Sequence, residues 1–208
     1  MNVFVLCTGR SGSTSFIKAC QHITNYSASH ESLTDKYLNQ RFEFPKNHIE
    51  ADNRLSWQLG QLDEKYGKNA FYIHLKRERM AVAGSHNKRF LLPKSMIYAY
   101  ANGIKKSPPE TLDNAGKYLV CLDFYETVNS NIRLFLKDKP HQMTIELLDI
   151  KWEFEHFWHE IKAEGNLEKA ISEFDKKHNK SKSKKIYWRY SLKHLGLKLL
   201  MTIKNLFK

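Results

Sequence analysis

Long apolar runs are missing from this sequence of 208 residues. No stretch approaches the roughly 18 to 20 consecutive apolar residues that a membrane-spanning helix requires, so the sequence predicts no such helix. We also expect no secretory leader, because residues 1–7 carry no basic side chain and Gly9-Arg10 follow at once. We therefore expect the protein to stay in the cytoplasm.

Cysteine is scarce. The three thiols, Cys7, Cys20 and Cys121, are odd in number, far apart and not arranged as a C-x-x-C pair. Apolar neighbours around Cys7 and Cys20 predict buried free thiols. Catalysis by Cys7 is the minor alternative, because burial raises the pKa of a thiol and suppresses its nucleophilic form.

Acidic residues are missing from residues 176–208, which carry eleven Lys and Arg and no Asp or Glu. Of the net charge of +12, only +1 belongs to residues 1–175, where 23 basic residues accompany 22 acidic ones. A high isoelectric point therefore does not indicate a nucleic-acid-binding domain here. We predict a catalytic domain over residues 1–178 and a basic tail over residues 179–208.

The end of the tail, residues 186–208, has the pattern of an amphipathic helix of about 3.6 residues per turn. One face would hold Trp188, Leu192, Leu195, Leu199, Ile203 and Leu206, and the opposite face Arg189, Lys193, Lys204 and Lys208. This pattern is typical of a helix that lies on an anionic membrane surface. Packing on its own domain or on a second subunit is the alternative.

Strand patterns alternate with helix patterns along residues 1–175. Apolar runs predict strands at residues 3–7, 49–51, 70–75 and 143–148. Periodic apolar residues predict helices over residues 13–23, 55–65, 80–90, 112–136, 154–161 and 167–174. The alternation predicts an α/β fold, a three-layer sandwich around a mostly parallel sheet of four or five strands, with further helices towards the C-terminus.

The first predicted strand runs into Thr8-Gly-Arg-Ser-Gly-Ser-Thr14 and then into a helix. Glycines allow a tight turn there, and backbone N–H groups and the helix N-terminus converge on one point. The segment therefore predicts a phosphate-binding loop formed by Gly9, Arg10, Ser11, Gly12, Ser13 and Thr14. A Gly/Ser-rich turn without a ligand is the alternative.

An ATP or GTP loop is not indicated by this segment. The pattern G-x-x-x-x-G-K-[ST] is not matched, because Gly9 and Gly12 are only three positions apart and no Lys precedes Ser13 or Thr14. The dinucleotide pattern G-x-G-x-x-G is absent too.

Arg10-Ser11-Gly12-Ser13-Thr14 resembles the 5′-phosphosulfate loop of sulfotransferases that use 3′-phosphoadenosine-5′-phosphosulfate (PAPS). That family also carries an Arg after a later strand and a Ser eight positions further on, and both hold the 3′-phosphate. Arg77 and Ser85 match this spacing, and a guanidinium with a hydroxyl suits a phosphate. The resemblance spans roughly residues 1–150 and implies the P-loop NTPase-like sulfotransferase fold. The Arg-Lys-Gly loop that cytosolic members carry near their C-terminus is missing.

The resemblance implies transfer of a sulfuryl group from PAPS to a hydroxyl or amine, with no metal. Arg10 and the loop N–H groups would stabilise the leaving 5′-phosphate. The family uses Glu or His as general base. Residues 25–32 lie where a second strand would end, and carboxylate-base members of the family carry a Glu at about this distance from the loop. Glu31 is therefore our choice and His30 its competitor; the alternative is that both side chains cap or hydrogen-bond a loop.

Two further sets of polar residues lie outside these motifs. His48, Glu50 and Asp52 form a cluster at a predicted strand end, where residues 52–54 would contact the acceptor. An exposed helix face is predicted for His86, Lys88 and Arg89, with contact to nucleotide or acceptor as the alternative.

The sequence thus predicts a PAPS-dependent sulfotransferase whose acceptor is a carbohydrate or glycolipid. The acceptor would be a lipid-linked or nascent surface glycan if the tail binds a membrane. A P-loop-type nucleotide-dependent kinase and a non-catalytic, membrane-associated nucleotide-binding protein are the alternatives.

Overall fold

The computed structural model describes residues 1–176 and residue 178. The strands are β1 (Val3–Leu6), β2 (Ser27–His30), β3 (His48–Ala51), β4 (Phe71–Lys76) and β5 (Gln142–Glu146). The helices are α1 (Ser13–Cys20), α2 (Leu59–Tyr66), α3 (Arg79–Asn87), α4 (Met96–Ala99), α5 (Asn114–Leu136), α6 (Ile150–Glu160) and α7 (Leu167–Ser172). None of the helices in this part of the chain is long and apolar enough to cross a membrane.

The five strands form one sheet in the order β2-β3-β1-β4-β5, and every neighbouring pair is parallel. β1 occupies the centre because its four residues, Val3 to Leu6, are all apolar and are buried on both faces of the sheet. The predicted parallel sheet of four or five strands is confirmed.

Helices cover both faces of this sheet. Val3 and Val5 of β1 pack in one core with residues of α1, α6 and α7. Phe4 and Leu6 point the other way, into a second core with residues of α2, α3, α4 and α5. The result is an α/β arrangement of three layers, because successive side chains of a strand point to opposite faces.

The chain leaves β1 towards one face of the sheet, whereas it leaves the two strands beside β1 towards the other face. β1 leads to α1 in the first core, whereas β3 and β4, on either side of β1, lead to α2 and α3 in the second core. Diverging connections open a crevice at the carboxyl ends of such strands, where ligands of open α/β sheets bind. The topology thus gathers the residues after β1, β3 and β4 around one crevice.

The predicted helix over residues 55–65 is shorter in the structure. Residues 55–57 form a single 3₁₀ turn, and α2 begins only at Leu59. The cause is Ser56, whose hydroxyl donates to the backbone oxygen of Cys7 (3.1 Å) and accepts from the backbone N–H of Cys7 (3.3 Å). This contact with β1 fixes the turn before the helix starts.

Residues 96–104 are helical, which the sequence analysis did not predict. α4 continues into a π-helical turn, Tyr100–Ile104. Ile97, Tyr100 and Ala101 are buried, and the ring of Tyr100 packs edge-on against Phe124 of α5 at 5.2 Å. Packing against α5 therefore stabilises a segment whose own apolar pattern is short.

The predicted division of the chain at residue 178 stays a prediction. Residues 1–176 and 178, which the structure describes, hold the five-stranded sheet and its helices. The basic tail over residues 179–208, with its amphipathic pattern, lies outside the described residues and stays a prediction.

Candidate functional site

The loop after β1 adopts a backbone that few residue types accept. Gly9, Arg10 and Gly12 all have positive φ, at 70°, 61° and 94°. A Cβ atom on Gly12 would lie 2.6 Å from Cδ1 of Leu147, which follows β5. Gly12 also directly precedes α1 and carries no side chain that could cap that helix. The turn thus presents the N-terminal N–H groups of α1 at the crevice.

The two motifs of the sequence analysis are in direct contact. Nε of Arg10 donates to Oγ of Ser85 on α3, at 3.0 Å. Nη1 of Arg77, between β4 and α3, donates to the backbone oxygen of Arg10 at 3.1 Å. The structure therefore brings Arg77 and Ser85 to the loop, although they are remote from it in sequence.

Arg10 of the loop is contacted by the guanidinium of Arg77, and the charge of Arg89 also acts on Arg10. The pKa of Arg10 is lowered by desolvation and by repulsion from Arg89 and Arg77. Within the described residues, no carboxylate lies within ion-pairing distance of these three side chains. Other arginines are compensated: Arg79 pairs with Glu126 at 2.8 Å, and Arg54 pairs with Glu31 at 3.0 Å. Uncompensated positive charge in a partly buried crevice favours an anionic ligand.

The hydroxyl groups of the loop have different surroundings. Ser11 is buried, and its hydroxyl lies 3.0 Å from Oγ1 of Thr8 and 3.3 Å from the backbone oxygen of Gly9. This hydroxyl therefore stabilises the turn. Ser13 and Thr14 begin α1 and are only partly buried, so their side chains are less enclosed than that of Ser11.

Both candidate bases lie beside the loop, at the end of β2. Nε2 of His30 is 3.0 Å from Oγ of Ser13. Glu31 follows with a left-handed backbone (φ 56°), and its partly exposed carboxylate lies 3.0 Å from Nη1 of Arg54. The negative charge of Glu31 also reaches Cys7, where it contributes to the raised pKa of the thiol. The choice between Glu31 and His30 stays a prediction.

No known protein-family model and no curated protein matches this chain.

The cluster of His48, Glu50 and Asp52 lies beneath the site. All three side chains are buried. Asp52 accepts hydrogen bonds from Nη2 of Arg41 at 2.6 Å and from Oγ1 of Thr34 at 2.9 Å. The expectation that Asp52 contacts the acceptor is wrong, because its carboxylate is enclosed by these partners. Arg41 and Thr34 were missed by the sequence analysis, since neither belongs to a motif.

His86 is buried, so the expected exposed helix face is wrong for this residue. Nε2 of His86 lies 3.2 Å from the backbone oxygen of Thr8, and its ring packs against Phe124 at 4.9 Å. Val82 and Ala83, one helical turn earlier, are buried on the same face of α3. In the sequence, the helical spacing of Val82, Ala83 and His86 was the signal that could have predicted the burial of His86. Lys88 is exposed as predicted.

The thiol of Cys7 has no solvent-exposed surface. Its side chain is fully buried, and Sγ accepts from the backbone N–H of Gly9 at 3.3 Å. Burial is the main cause that raises its pKa to about 12. Burial thus disfavours a thiolate nucleophile at neutral pH. The predicted buried free thiols at Cys7 and Cys20 are confirmed.

Mild acid is expected to destabilise the fold through His86 and His74. Burial is the main cause that lowers the pKa of both to about 4, below the value of about 6.5 in an unfolded chain. The unfolded state therefore binds protons first as the pH falls. The contribution of each neutral histidine to the free energy of unfolding is complete above about pH 6.5. It is lost as the pH falls towards 4, by up to about 3 kcal/mol for each residue.

Urea unfolding at pH 7.5, 5.5 and 4.5 measures this loss. His86→Gln is expected to reduce the pH dependence, whereas His141→Gln, at an exposed position, is the control and should retain it. Equal pH dependence in wild type and His86→Gln would contradict the assignment.

Proposed function

We propose that the protein is a PAPS-dependent sulfotransferase and that residues 8–14 bind the 5′-phosphosulfate. The observation that carries the proposal is the contact of Arg77 and Ser85 with Arg10, where neither guanidinium has a carboxylate partner among the described residues. PAPS carries both a 5′-phosphosulfate and a 3′-phosphate, so several positive charges have a matching anion. The contacts among Arg10, Arg77 and Ser85 support one continuous site for both groups.

Each residue has a role in the proposed reaction. Arg77 and Ser85 hold the 3′-phosphate, while Arg10 and the N-terminus of α1 hold the 5′-phosphate. The acceptor oxygen or nitrogen attacks sulfur, and the bond between sulfur and the 5′-phosphate oxygen breaks. Glu31 or His30 takes the acceptor proton. Charge develops on the leaving phosphate, where fixed donors lower the barrier without reorganising.

The acceptor site is proposed on the side of β2 and β3, where Glu31 and Arg54 are both partly exposed. Carboxylate and guanidinium groups bind hydroxyl-rich ligands, which favours the carbohydrate or glycolipid acceptor. Attachment of the basic tail, residues 186–208, to an anionic membrane on the cytoplasmic face is part of this proposal, since it would bring the enzyme to a lipid-linked acceptor.

A thermal-shift comparison of 3′,5′-ADP with magnesium-ATP tests the nucleotide site. A ligand that binds the folded state raises the midpoint of unfolding by mass action. We expect 3′,5′-ADP to raise it and magnesium-ATP to have little effect at equal concentration. A shift with magnesium-ATP alone would favour the kinase and overturn the proposal.

A further inference from the structure

The backbone of Glu31 is held in an unusual conformation from two sides. A non-glycine residue with a left-handed backbone stores conformational energy unless its surroundings fix it. Here φ is 56°, and the N–H of Glu31 donates to the backbone oxygen of Ala51 at 3.1 Å. Two buried carboxylates of the β3 segment, Glu50 and Asp52, hold the residues that follow Glu31.

Glu50 holds the residue directly after Glu31. Its carboxylate accepts the backbone N–H of Ser32 at 2.8 Å and the hydroxyl of Ser32 at 2.6 Å. Nε2 of His48 lies 3.0 Å from the same carboxylate, and Nδ1 of His48 lies 2.7 Å from Oγ of Ser27. The loop after β2 is thus hydrogen-bonded to the interior of the sheet.

Asp52 reaches Glu31 through two intermediaries. Oγ1 of Thr34 lies 2.9 Å from Asp52 Oδ2 and 3.0 Å from the backbone oxygen of Glu31, so the single hydroxyl proton is shared between two acceptors. The backbone N–H of Arg54 donates to Asp52 Oδ1 at 2.8 Å, and the Arg54 guanidinium lies 3.0 Å from the Glu31 carboxylate. The main chain and the side chain of Glu31 are therefore each one residue away from the same buried acid.

We propose that Asp52 is a positioning residue, which acts through Thr34 and Arg54 to fix Glu31 beside the phosphate loop. The inference rests on the proposed function, in which Glu31 accepts the proton of the nucleophile. A buried ion pair such as that between Arg41 and Asp52 adds little net stability compared with apolar residues of similar volume, whereas it contributes conformational specificity in some proteins. Misplacement of a reacting group by about 1 Å costs up to about 100-fold in rate.

Thr34→Val is the informative variant. Asp52→Asn would leave the buried guanidinium of Arg41 without its counter-charge, so loss of folding would obscure the result. Thr34→Val keeps the shape of the side chain and removes only the bridging hydroxyl. Thr34→Ser retains the hydroxyl and loses only the methyl group. Thr111→Val is the matched control, because Thr111 also donates to a backbone oxygen, that of Pro108, but on an exposed turn.

Two measurements on the full chain separate this inference from the proposed function. The first is the rate of PAPS hydrolysis to 3′,5′-ADP and sulfate, with water as acceptor, together with the KM for PAPS. The second is amide hydrogen exchange of residues 30–34 in the presence of 3′,5′-ADP. We expect Thr34→Val to lower kcat about 10-fold, with KM within about twofold, and to speed exchange at Glu31. Thr34→Ser and Thr111→Val should resemble wild type.

Wild-type kcat and unchanged exchange in Thr34→Val would overturn the positioning role. Faster exchange with unchanged kcat would overturn it as well, since the hydroxyl would then be structural only. If the wild-type protein neither binds 3′,5′-ADP nor hydrolyses PAPS, the proposed function fails, and the positioning role fails with it.

Discussion

Arg77→Ala is expected to weaken the binding of 3′,5′-ADP by about 100-fold. The replaced guanidinium has no carboxylate partner among the described residues, so its full charge is available to a phosphate. It also donates to the backbone oxygen of Arg10 and thereby supports the loop itself. A charge-assisted hydrogen bond contributes about 1.5 to 3 kcal/mol, and 1.4 kcal/mol corresponds to tenfold in affinity.

Arg79→Ala is the matched control for this measurement. Arg79 lies two positions further along, at the start of α3, and forms an exposed ion pair with Glu126 at 2.8 Å. Such surface pairs contribute little, so we expect unchanged nucleotide affinity by isothermal titration calorimetry. Equal losses in Arg77→Ala and Arg79→Ala would show a general charge effect and contradict the specific role of Arg77.

Glu31→Gln is expected to lower kcat for PAPS turnover about 100- to 10,000-fold, the usual range for loss of a positioned general base. The substitution keeps the size of the side chain but removes the proton acceptor. Affinity for 3′,5′-ADP should stay within about twofold, because the loop and the arginines are untouched. Steady-state kinetics and calorimetry on the same preparation measure both quantities.

His30→Gln is the companion variant, because His30 competes for the same role. Its ring lies 3.0 Å from the hydroxyl of Ser13 at the start of α1. If Glu31 is the base, His30→Gln should reduce kcat only about 10-fold, through the loop. A large loss in His30→Gln together with near-normal turnover in Glu31→Gln would assign the base to His30.

The features that could be predicted from the sequence are local ones. β1 is apolar at every position, which indicates a central parallel strand before any contact is known. The loop after it is contiguous, so its glycines, hydroxyls and Arg10 are visible as one pattern. Arg77 and Ser85 were predicted because their spacing matches that of the family which the sequence resembles. The structure places both against Arg10.

The features that were missed depend on contacts between remote segments. Arg41 and Asp52 form a buried ion pair across a loop whose path the sequence does not indicate. Asp52 was expected to contact the acceptor because its charge was considered without Arg41. His86 was predicted to be exposed because its side chain is polar. In the structure, the packing of α3 on α5 buries its ring, and Nε2 lies within hydrogen-bonding distance of the backbone oxygen of Thr8. Residues 96–104 are helical because they pack on α5.

A calorimetric titration of the wild-type protein with 3′,5′-ADP and with 5′-AMP tests the central claim most directly. The two ligands differ only in the 3′-phosphate, which the proposal assigns to Arg77 and Ser85. We predict that 3′,5′-ADP binds at least about 30-fold more tightly than 5′-AMP, as expected for two or more charge-assisted hydrogen bonds. Equal affinities would contradict the assignment of this crevice as a PAPS site.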